Sequence, residues 1–198
     1  MNIEILTALC TFAFVSSVTP GPNNLMLMTS AANFGIWRSM PHLLGVVFGF
    51  VLMVILVGTG LVSVFEAYPV SYDILRVGSI VYLSYLAWKI TTAKSPAGSA
   101  AGKPIGSVQA ALFQWVNPKA WAMALIAVTV YAPSHSLAAV AMIALVFGVI
   151  NIPSVFVWVL LGSKIQRLLD SGPRLRAFNY CMALLLLATL YPVIFEIS

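Results

Sequence analysis

Two long apolar stretches of this sequence are interrupted by proline at corresponding places in its two halves. The first interruption, Thr19–Asn24, reads Thr-Pro-Gly-Pro-Asn-Asn, and the second, Asn117–Lys119, reads Asn-Pro-Lys. In the hydrocarbon of a bilayer, an unpaired backbone amide or carbonyl costs several kcal/mol. A broken helix is therefore stable there only where it lines a polar cavity or is covered by protein. The sequence predicts two helices that are broken inside a membrane, one in each half of the chain.

The composition supports a membrane location. Hydrophobic residues make up 61% of the chain and charged residues 8%, whereas about 25% of the residues of a soluble domain are charged. We therefore expect an integral membrane protein. No basic segment and no small-residue cleavage site precede the first apolar run, so we expect this run to be retained rather than removed as a signal peptide.

Six apolar segments are near or above the roughly 20 residues that cross a bilayer. They predict an all-α polytopic membrane protein with six transmembrane helices. A flexible, weakly basic linker over residues 95–104 separates halves of about 1–94 and 105–198, and we expect residues 1–198 to form a single transporter domain. The predicted spans are Ile3–Asn33, Met40–Phe65, Tyr68–Ile90, Ser107–Tyr131, Ser136–Leu161 and Ala177–Ile197.

Three spans in each half imply that the halves enter the membrane from opposite sides. Short matches between the halves agree with this: Val47–Gly49 and Val146–Gly148 both read Val-Phe-Gly, and both interruptions place a proline after Thr or Asn. Many secondary transporters are built from such inverted repeats, and paired interruptions in corresponding segments indicate their binding site. The sequence thus predicts a three-plus-three inverted repeat in which the first helix of each half is broken at proline.

Basic residues flank the odd-numbered connections between the predicted spans. Positively charged connections stay in the cytoplasm, so we expect the odd connections inside and both termini outside. Because no basic cluster is interleaved with aromatic residues in a soluble segment, we expect no nucleic-acid partner. The residues of these connections are Arg38, Lys89, Lys94, Lys103, Lys164, Arg167, Arg174 and Arg176.

Each interruption has the residues of a helix start. A good N-cap type, threonine or asparagine, precedes a proline, which suits the first helical position. Freed amides and the positive end of a helix dipole favour an anion such as a carboxylate, and nearby asparagines add neutral donors and acceptors. The alternative is that the prolines only kink helices for packing. The candidate substrate-binding residues are Thr19, Pro20, Gly21, Pro22, Asn23, Asn24, Asn117, Pro118 and Lys119.

Lys119 is the one charged residue deep inside a predicted span. At a rise of 1.5 Å per residue it lies roughly 18 Å from the start of span four. An ionisable side chain at that depth normally faces a cavity or a partner; the alternative is that it snorkels to the cytoplasmic interface. On an unbroken helix Lys119 would point away from Asn117, but a break at Pro118 lets both side chains reach one cavity.

Four other residues are candidates for a hinge or a cavity wall, with close helix packing as the alternative. They are Gly45, Gly49, Asn151 and Pro153.

Isolated polar residues carry weaker signals. His42 is predicted to be an ordinary interfacial histidine, and Asn179 to cap or pack. Cys10 and Cys181 form no Cys-x-x-C pair, so a disulfide carrier is not indicated. The sequence has no metal-ligand spacing, no phosphate-binding glycine loop and no recognisable catalytic set. We expect no metal, no cofactor and no enzyme activity.

The run Thr19–Asn24 followed by Asn117–Lys119 resembles the lysine exporter (LysE/RhtB) family of bacterial amino-acid exporters. The resemblance covers the whole chain, including the six spans, the basic linker and the stretch Asn33–Arg38 after the first motif. Within that family, Gly21–Asn24 and Tyr85–Lys89 are most similar to the branch that exports cysteine and O-acetylserine.

The resemblance implies secondary active export or antiport of amino acids or close metabolites across the bacterial inner membrane, driven by the proton gradient. The implied partners are a small-molecule amino acid, protons and the lipid bilayer, and a homo-oligomer is left open. Some relatives that handle basic amino acids carry a carboxylate in span two, but Met40–Phe65 contains none. A neutral or small polar substrate is therefore favoured, and the proton carrier stays open between Lys119, His42 and the amine of the substrate.

Two other functional classes are left open. An exporter of metal or inorganic ions with the same architecture would need His, Cys or carboxylate ligands within the spans. A membrane scaffold that transports nothing would tolerate the simultaneous loss of Asn23, Asn117 and Lys119.

Overall fold

A computed structural model of the protein describes residues 3–61, 63, 67–68, 70–92, 103–132, 136–169, 171–191 and 194. Every regular element among these residues is helical, which confirms the prediction of an all-α fold for this part of the chain. The short π-helical segment Val57–Leu61 extends α3, and the 3-10 turn Gln114–Val116 follows α5. The helices are α1 (Ile3–Val18), α2 (Pro22–Phe34), α3 (Ile36–Leu56), α4 (Val70–Thr91), α5 (Ser107–Phe113), α6 (Pro118–Tyr131), α7 (Leu137–Gln166) and α8 (Gly172–Ala188).

Two helices of the described part are long and apolar enough to cross a membrane. They are Ile36–Leu61, with 26 residues, and Leu137–Gln166, with 30. α1 and α2 together satisfy the same criteria as one span that is bent by 52° at its break, while α6 is apolar but shorter. By length and composition the described helices thus supply two spans, or three with the bent pair. The six-span arrangement stays a prediction.

Large apolar side chains cover much of the outer surface. Phe48 and Leu184 are each 67% exposed, Trp88 is 63% exposed and Leu145 is 62% exposed. Large exposed apolar areas are rare on soluble monomers and mark a membrane or protein interface. Together with the apolar helices, these exposed side chains are consistent with a membrane protein.

Helices α3 and α7 pack against each other at the centre of the structure. The broken segments flank them: α1 and α2 pack on α7, and α5 packs on α3. An aromatic contact with a centroid distance of 5.1 Å joins Phe50 of α3 to Phe147 of α7. Both helix breaks are thereby brought to the sides of one central helix pair.

Glycines let several of these helices approach one another closely. A Cβ atom added to Gly45 would lie 2.2 Å from the backbone oxygen of Ser107 in α5. A Cβ atom added to Gly49 would lie 2.6 Å from the Cα of Ala111 in the same helix. In this conformation both glycines therefore serve the crossing of α3 and α5, which is the packing interpretation of these residues.

A single residue, Gly35, joins α2 to α3. Its φ angle of 82° lies in the region that favours glycine, because a side chain there would clash with the backbone. Its amide donates a 2.9 Å hydrogen bond to the carbonyl of Ala31, which closes the last turn of α2. The two helices therefore follow each other with no intervening loop.

Candidate functional site

The first break separates α1, which ends at Val18, from α2, which begins at Pro22. The predicted helix start at Thr19 is wrong, because the Thr19 hydroxyl donates to the carbonyl of Ser16 at 3.0 Å and stays with the last turn of α1. The second proline of the motif occupies the first helical position instead. Gly21 is the N-cap residue, in an extended conformation, and no side chain caps this helix start.

The Asn24 side chain compensates for the break. Its amide nitrogen donates to the carbonyls of Ser17 and Thr19, both at 2.8 Å. These carbonyls lie at the end of α1, where the helix no longer supplies amide donors. Asn24 is buried, so these hydrogen bonds link the end of α1 to the start of α2 in the interior of the protein.

The second break lies between the 3-10 turn that follows α5 and the start of α6. The Asn117 side chain accepts a hydrogen bond from the amide of Lys119 at 3.2 Å, and Pro118 occupies the first turn. The predicted N-cap is confirmed at this break. The start of α6 is thus capped, whereas the start of α2 is not.

Lys119 connects the second break directly to the first. Its ammonium donates to the Thr19 carbonyl at 2.8 Å, to the Thr19 hydroxyl at 2.9 Å and to the Pro20 carbonyl at 3.2 Å. These contacts match the three donors of an ammonium group. The carbonyls follow the C-terminal end of α1, where the negative pole of the helix dipole favours a cation. In this conformation Lys119 does not snorkel away from the breaks.

A pair of amides makes a second connection between the breaks. The Asn23 side-chain nitrogen donates to Gln114 at 2.8 Å, and the Gln114 nitrogen donates to Asn23 at 3.2 Å and to the carbonyl of Ala110 at 2.8 Å. Gln114 is fully buried, yet sequence reasoning missed it. The available signal was an uncharged amide inside an apolar span, three residues before Asn117.

A small cavity of about 30 Å³ lies between the two breaks. The candidates Gly21, Asn23, Asn24, Asn117, Lys119 and Asn151 line it, together with Ser16, Ser17, Val46, Phe50, Ala120, Met123 and Val155. Gly45 and Gly49 do not line it, and Pro153 is exposed on α7. A space of this size holds roughly two or three water molecules and no amino acid. In this conformation the space between the breaks is therefore too small for an amino acid.

Ser17 is a second residue that sequence reasoning missed. It is 5% exposed, and its hydroxyl has no hydrogen-bond partner among the described residues. A Ser-Ser pair one residue before the first interruption was visible in the sequence, but helical serines commonly bond to their own backbone. Ser16 does so, since its hydroxyl donates to the carbonyl of Phe12 at 2.6 Å.

A larger space of about 660 Å³ lies beside the cavity, and we call it the vestibule. Its lining comprises Pro20, Gly21, Pro22, Tyr72, Leu75, Arg76, Ser79, Pro118, Lys119, Trp121, Ala122, Leu125 and Thr189. Gly21 and Lys119 line both spaces. The contact between Lys119 and the first break therefore stands between the small cavity and the vestibule.

Buried polar side chains also follow α2 away from the cavity. The Ser30 and Ser39 hydroxyls lie 2.8 Å apart, and Asn33 donates to Asn179 at 3.0 Å. His42 is fully buried, and neither ring nitrogen has a hydrogen-bond partner among the described residues. The interfacial placement predicted for His42 is therefore wrong, because neighbouring helices cover the whole ring.

Residues 14–189 match the family model described as LysE type translocator. The chain belongs to this family. As a member of the LysE family, the protein is a transporter and not an enzyme. The family resemblance that the two motifs predicted is confirmed.

Relatives of this LysE-type chain extend over almost its whole length. A protein of Escherichia coli O139:H28 (strain E24377A / ETEC) named cysteine/O-acetylserine efflux protein is 28% identical over 94% of this chain and 96% of its own. Proteins with the same name from Escherichia coli (strain K12) and Shigella sonnei (strain Ss046) are also 28% identical, over 94% of this chain and 95% of theirs. No solved structure matches the chain.

Proposed function

We propose that this protein is a secondary active exporter of amino acids or close metabolites across the bacterial inner membrane. Export is driven by the proton gradient, and small neutral or polar substrates are favoured. The observation that carries the proposal is the meeting of two helix breaks at one polar cavity. Non-helical backbone at membrane depth occurs where it lines such a cavity, and secondary transporters bind substrate at broken helices of this kind.

The chemistry of the cavity supports an amino acid as substrate. Its lining combines one cation, Lys119, with the neutral side chains of Asn23, Asn24, Asn117 and Asn151. No Asp or Glu is among the residues that line it, so a strongly cationic substrate would lack a counter-charge. The relatives named for efflux of cysteine and O-acetylserine point to the same class of small substrate.

The substrate-binding roles divide between side chains and backbone. Lys119 supplies positive charge, since its three N–H donors are taken by Thr19 and Pro20. The asparagines at both breaks supply polar contacts, and Gly21 lets the Lys119 side chain approach closely. A Cβ atom at Gly21 would lie 2.7 Å from the Cδ of Lys119. Asn151 forms part of the cavity wall. The remaining candidates set the path of the backbone at the breaks: Thr19, Pro20, Pro22 and Pro118.

The packing of the helices supports an inverted repeat of three spans in each half. In such a repeat α1 corresponds to α5, α3 to α7 and α4 to α8. The contact of α1 with α7 has its counterpart in the contact of α5 with α3. The pairs α3–α7 and α4–α8 each correspond to themselves. These contacts are the ones that exchange of the two halves by a pseudo-twofold axis would produce.

The positive residues of the odd connections support an orientation with both termini in the periplasm. Ser99, in the linker, lies outside the described residues, and this topology places it in the cytoplasm. In a variant without Cys10 and Cys181, Ser99→Cys is expected to resist an impermeant maleimide in intact spheroplasts and to react after the membrane is opened. Ser136→Cys, before α7, is the matched control that should react from outside. Labelling of Ser99→Cys in sealed spheroplasts would refute the orientation.

Transport in inside-out membrane vesicles tests the function itself. Vesicles that contain the protein are expected to accumulate labelled L-cysteine, kept reduced, when their interior is acidic, because protons then leave as substrate enters. A protonophore should abolish the accumulation, and vesicles without the protein should show none. A panel of neutral, acidic and basic amino acids defines the substrate class. If no amino acid accumulates, export is refuted; accumulation that withstands the protonophore refutes proton coupling.

Two other functions predict different results in the same vesicles. An exporter of inorganic ions would accumulate metal ions instead of amino acids. In the part of the chain that the structure describes, however, no group of three His, Cys, Asp or Glu side chains is placed to hold a metal. A scaffold would keep its phenotype when Asn23, Asn117 and Lys119 are all replaced by alanine.

A further inference from the structure

The two half-helices that begin at the breaks differ in the state of their first amides. In α6, the Asn117 side chain accepts from the amide of Lys119. In α2, the first amide with a partner among the described residues is that of Leu25, which donates to the Gly21 carbonyl at 3.0 Å. The amides of Asn23 and Asn24 make no hydrogen bond to any described residue, and no side chain caps them. The positive end of α2 is thus open.

The Ser17 hydroxyl is a second, independent group that points to a ligand at this place. Ser17 lines the same cavity as Gly21, Asn23 and Asn24, and it is 5% exposed with an unpartnered hydroxyl. Its carbonyl accepts from the Asn24 side chain at 2.8 Å, which holds Ser17 next to the first turn of α2. A buried hydroxyl without a partner is unfavourable unless a ligand or water completes it.

The backbone carbonyl oxygens that would repel an anion at this place already accept hydrogen bonds from side chains. The carbonyls of Ser17 and Thr19 accept from the Asn24 side chain, and those of Thr19 and Pro20 accept from the Lys119 ammonium. No Asp or Glu lines the cavity. Open amides, an unpaired hydroxyl and the Lys119 charge therefore all favour negative charge at the start of α2.

We propose that the Ser17 hydroxyl and the amides of Asn23 and Asn24 form the subsite for the carboxylate of the exported molecule. The proposal rests on the proposed amino-acid export and makes it more specific, because it assigns the carboxylate to the start of α2 rather than to the capped start of α6. Ser17 donates its hydroxyl proton, and Lys119 stabilises the charge from the side that faces the vestibule. A free α-carboxylate is then a requirement for export.

Two measurements in the inside-out vesicles test this subsite. Unlabelled L-cysteine should compete with labelled L-cysteine, whereas L-cysteinamide, which lacks the carboxylate, should compete at least roughly tenfold less well. Ser17→Ala should raise KM for L-cysteine roughly tenfold with little change in kcat, since one hydrogen bond to a charged group is lost. Ser17→Cys keeps a weak donor in a slightly larger side chain, and should retain part of the affinity.

Ser154→Ala is the matched control. Ser154 is also a buried helical serine, but its hydroxyl donates to the carbonyl of Ile150 at 2.7 Å, and Ser154 does not line the cavity. Its KM should equal that of the unmodified protein. If L-cysteinamide competes as well as L-cysteine, or if Ser17→Ala leaves KM unchanged, the subsite is refuted while amino-acid export stands. If no amino acid of the panel accumulates, export is refuted and the subsite with it.

Discussion

Replacing Lys119 with glutamine is expected to lower export roughly ten- to a hundredfold while the amount of protein in the membrane stays the same. Lys119 lines the cavity, and its ammonium holds the two carbonyls that follow α1 at 2.8 and 3.2 Å. A substrate that loses one charged partner in the site binds less favourably by about 1.5–3 kcal/mol of free energy. Lys119→Arg should retain part of the activity, because the charge survives although the guanidinium has a different shape.

Export rates in inside-out vesicles with equal protein levels, measured over a range of substrate concentrations, check this result. Lys164→Gln is the matched control, because Lys164 is exposed near the end of α7 and lines neither space between the breaks. Its export rate should be unchanged. Equal rates for Lys119→Gln and the unmodified protein would mean that Lys119 only anchors the helix, and the proposed site would lose its charged member.

Alanine at Gly45 or Gly162 is expected to destabilise the protein by about 1–3 kcal/mol, the usual effect of overpacking. An added Cβ would lie 2.2 Å from a backbone oxygen in each case, that of Ser107 for Gly45 and that of Met28 for Gly162. Neither contact can be relieved by a side-chain rotation, since each involves the backbone of a neighbouring helix. The affected crossings are those of α3 with α5 and of α7 with α2.

Thermal unfolding of the purified protein in detergent measures this loss of stability. Gly78→Ala is the control within α4, because its Cβ would lie 3.6 Å from Val116, an ordinary contact. Alanine favours a helix over glycine by roughly 1 kcal/mol, so Gly78→Ala should unfold at the same or a slightly higher temperature. Unchanged unfolding temperatures for Gly45→Ala and Gly162→Ala would show that these helices can move apart at no cost.

The sequence predicted the two breaks because proline lacks the amide of a helical hydrogen bond. Proline alone does not decide the outcome, since Pro41 and Pro153 lie inside the continuous helices α3 and α7. The sequence did not predict where α2 begins. Both Thr19-Pro20 and Gly21-Pro22 fit a helix start, and the choice depends on the Thr19 hydroxyl, which bonds to Ser16 and Lys119. The contact with Lys119 becomes visible only when α6 is placed beside α1.

Residues with several local options were the hardest to predict. A serine in a helix can satisfy itself on the preceding turn, as Ser16 does, and nothing in the sequence distinguishes it from Ser17, which does not. Gln114 gains its role from Asn23, a residue 91 positions away. Burial of His42 likewise depends on how neighbouring helices pack around α3, which hydropathy alone does not reveal.

Because Gly35 alone joins α2 to α3, a change in the Gly35 backbone angles would rotate the whole of α2 about its C-terminal end. This helix has 13 residues, a length of about 20 Å, so a rotation of about 10° around Gly35 displaces its first turn by roughly 3 Å. That movement exceeds what a 2.8 Å hydrogen bond between Asn23 and Gln114 tolerates. A rotation of this size about Gly35 would therefore break the Asn23–Gln114 contact between the two breaks, whereas the crossing of α3 with α5 does not involve α2 and would keep its contacts.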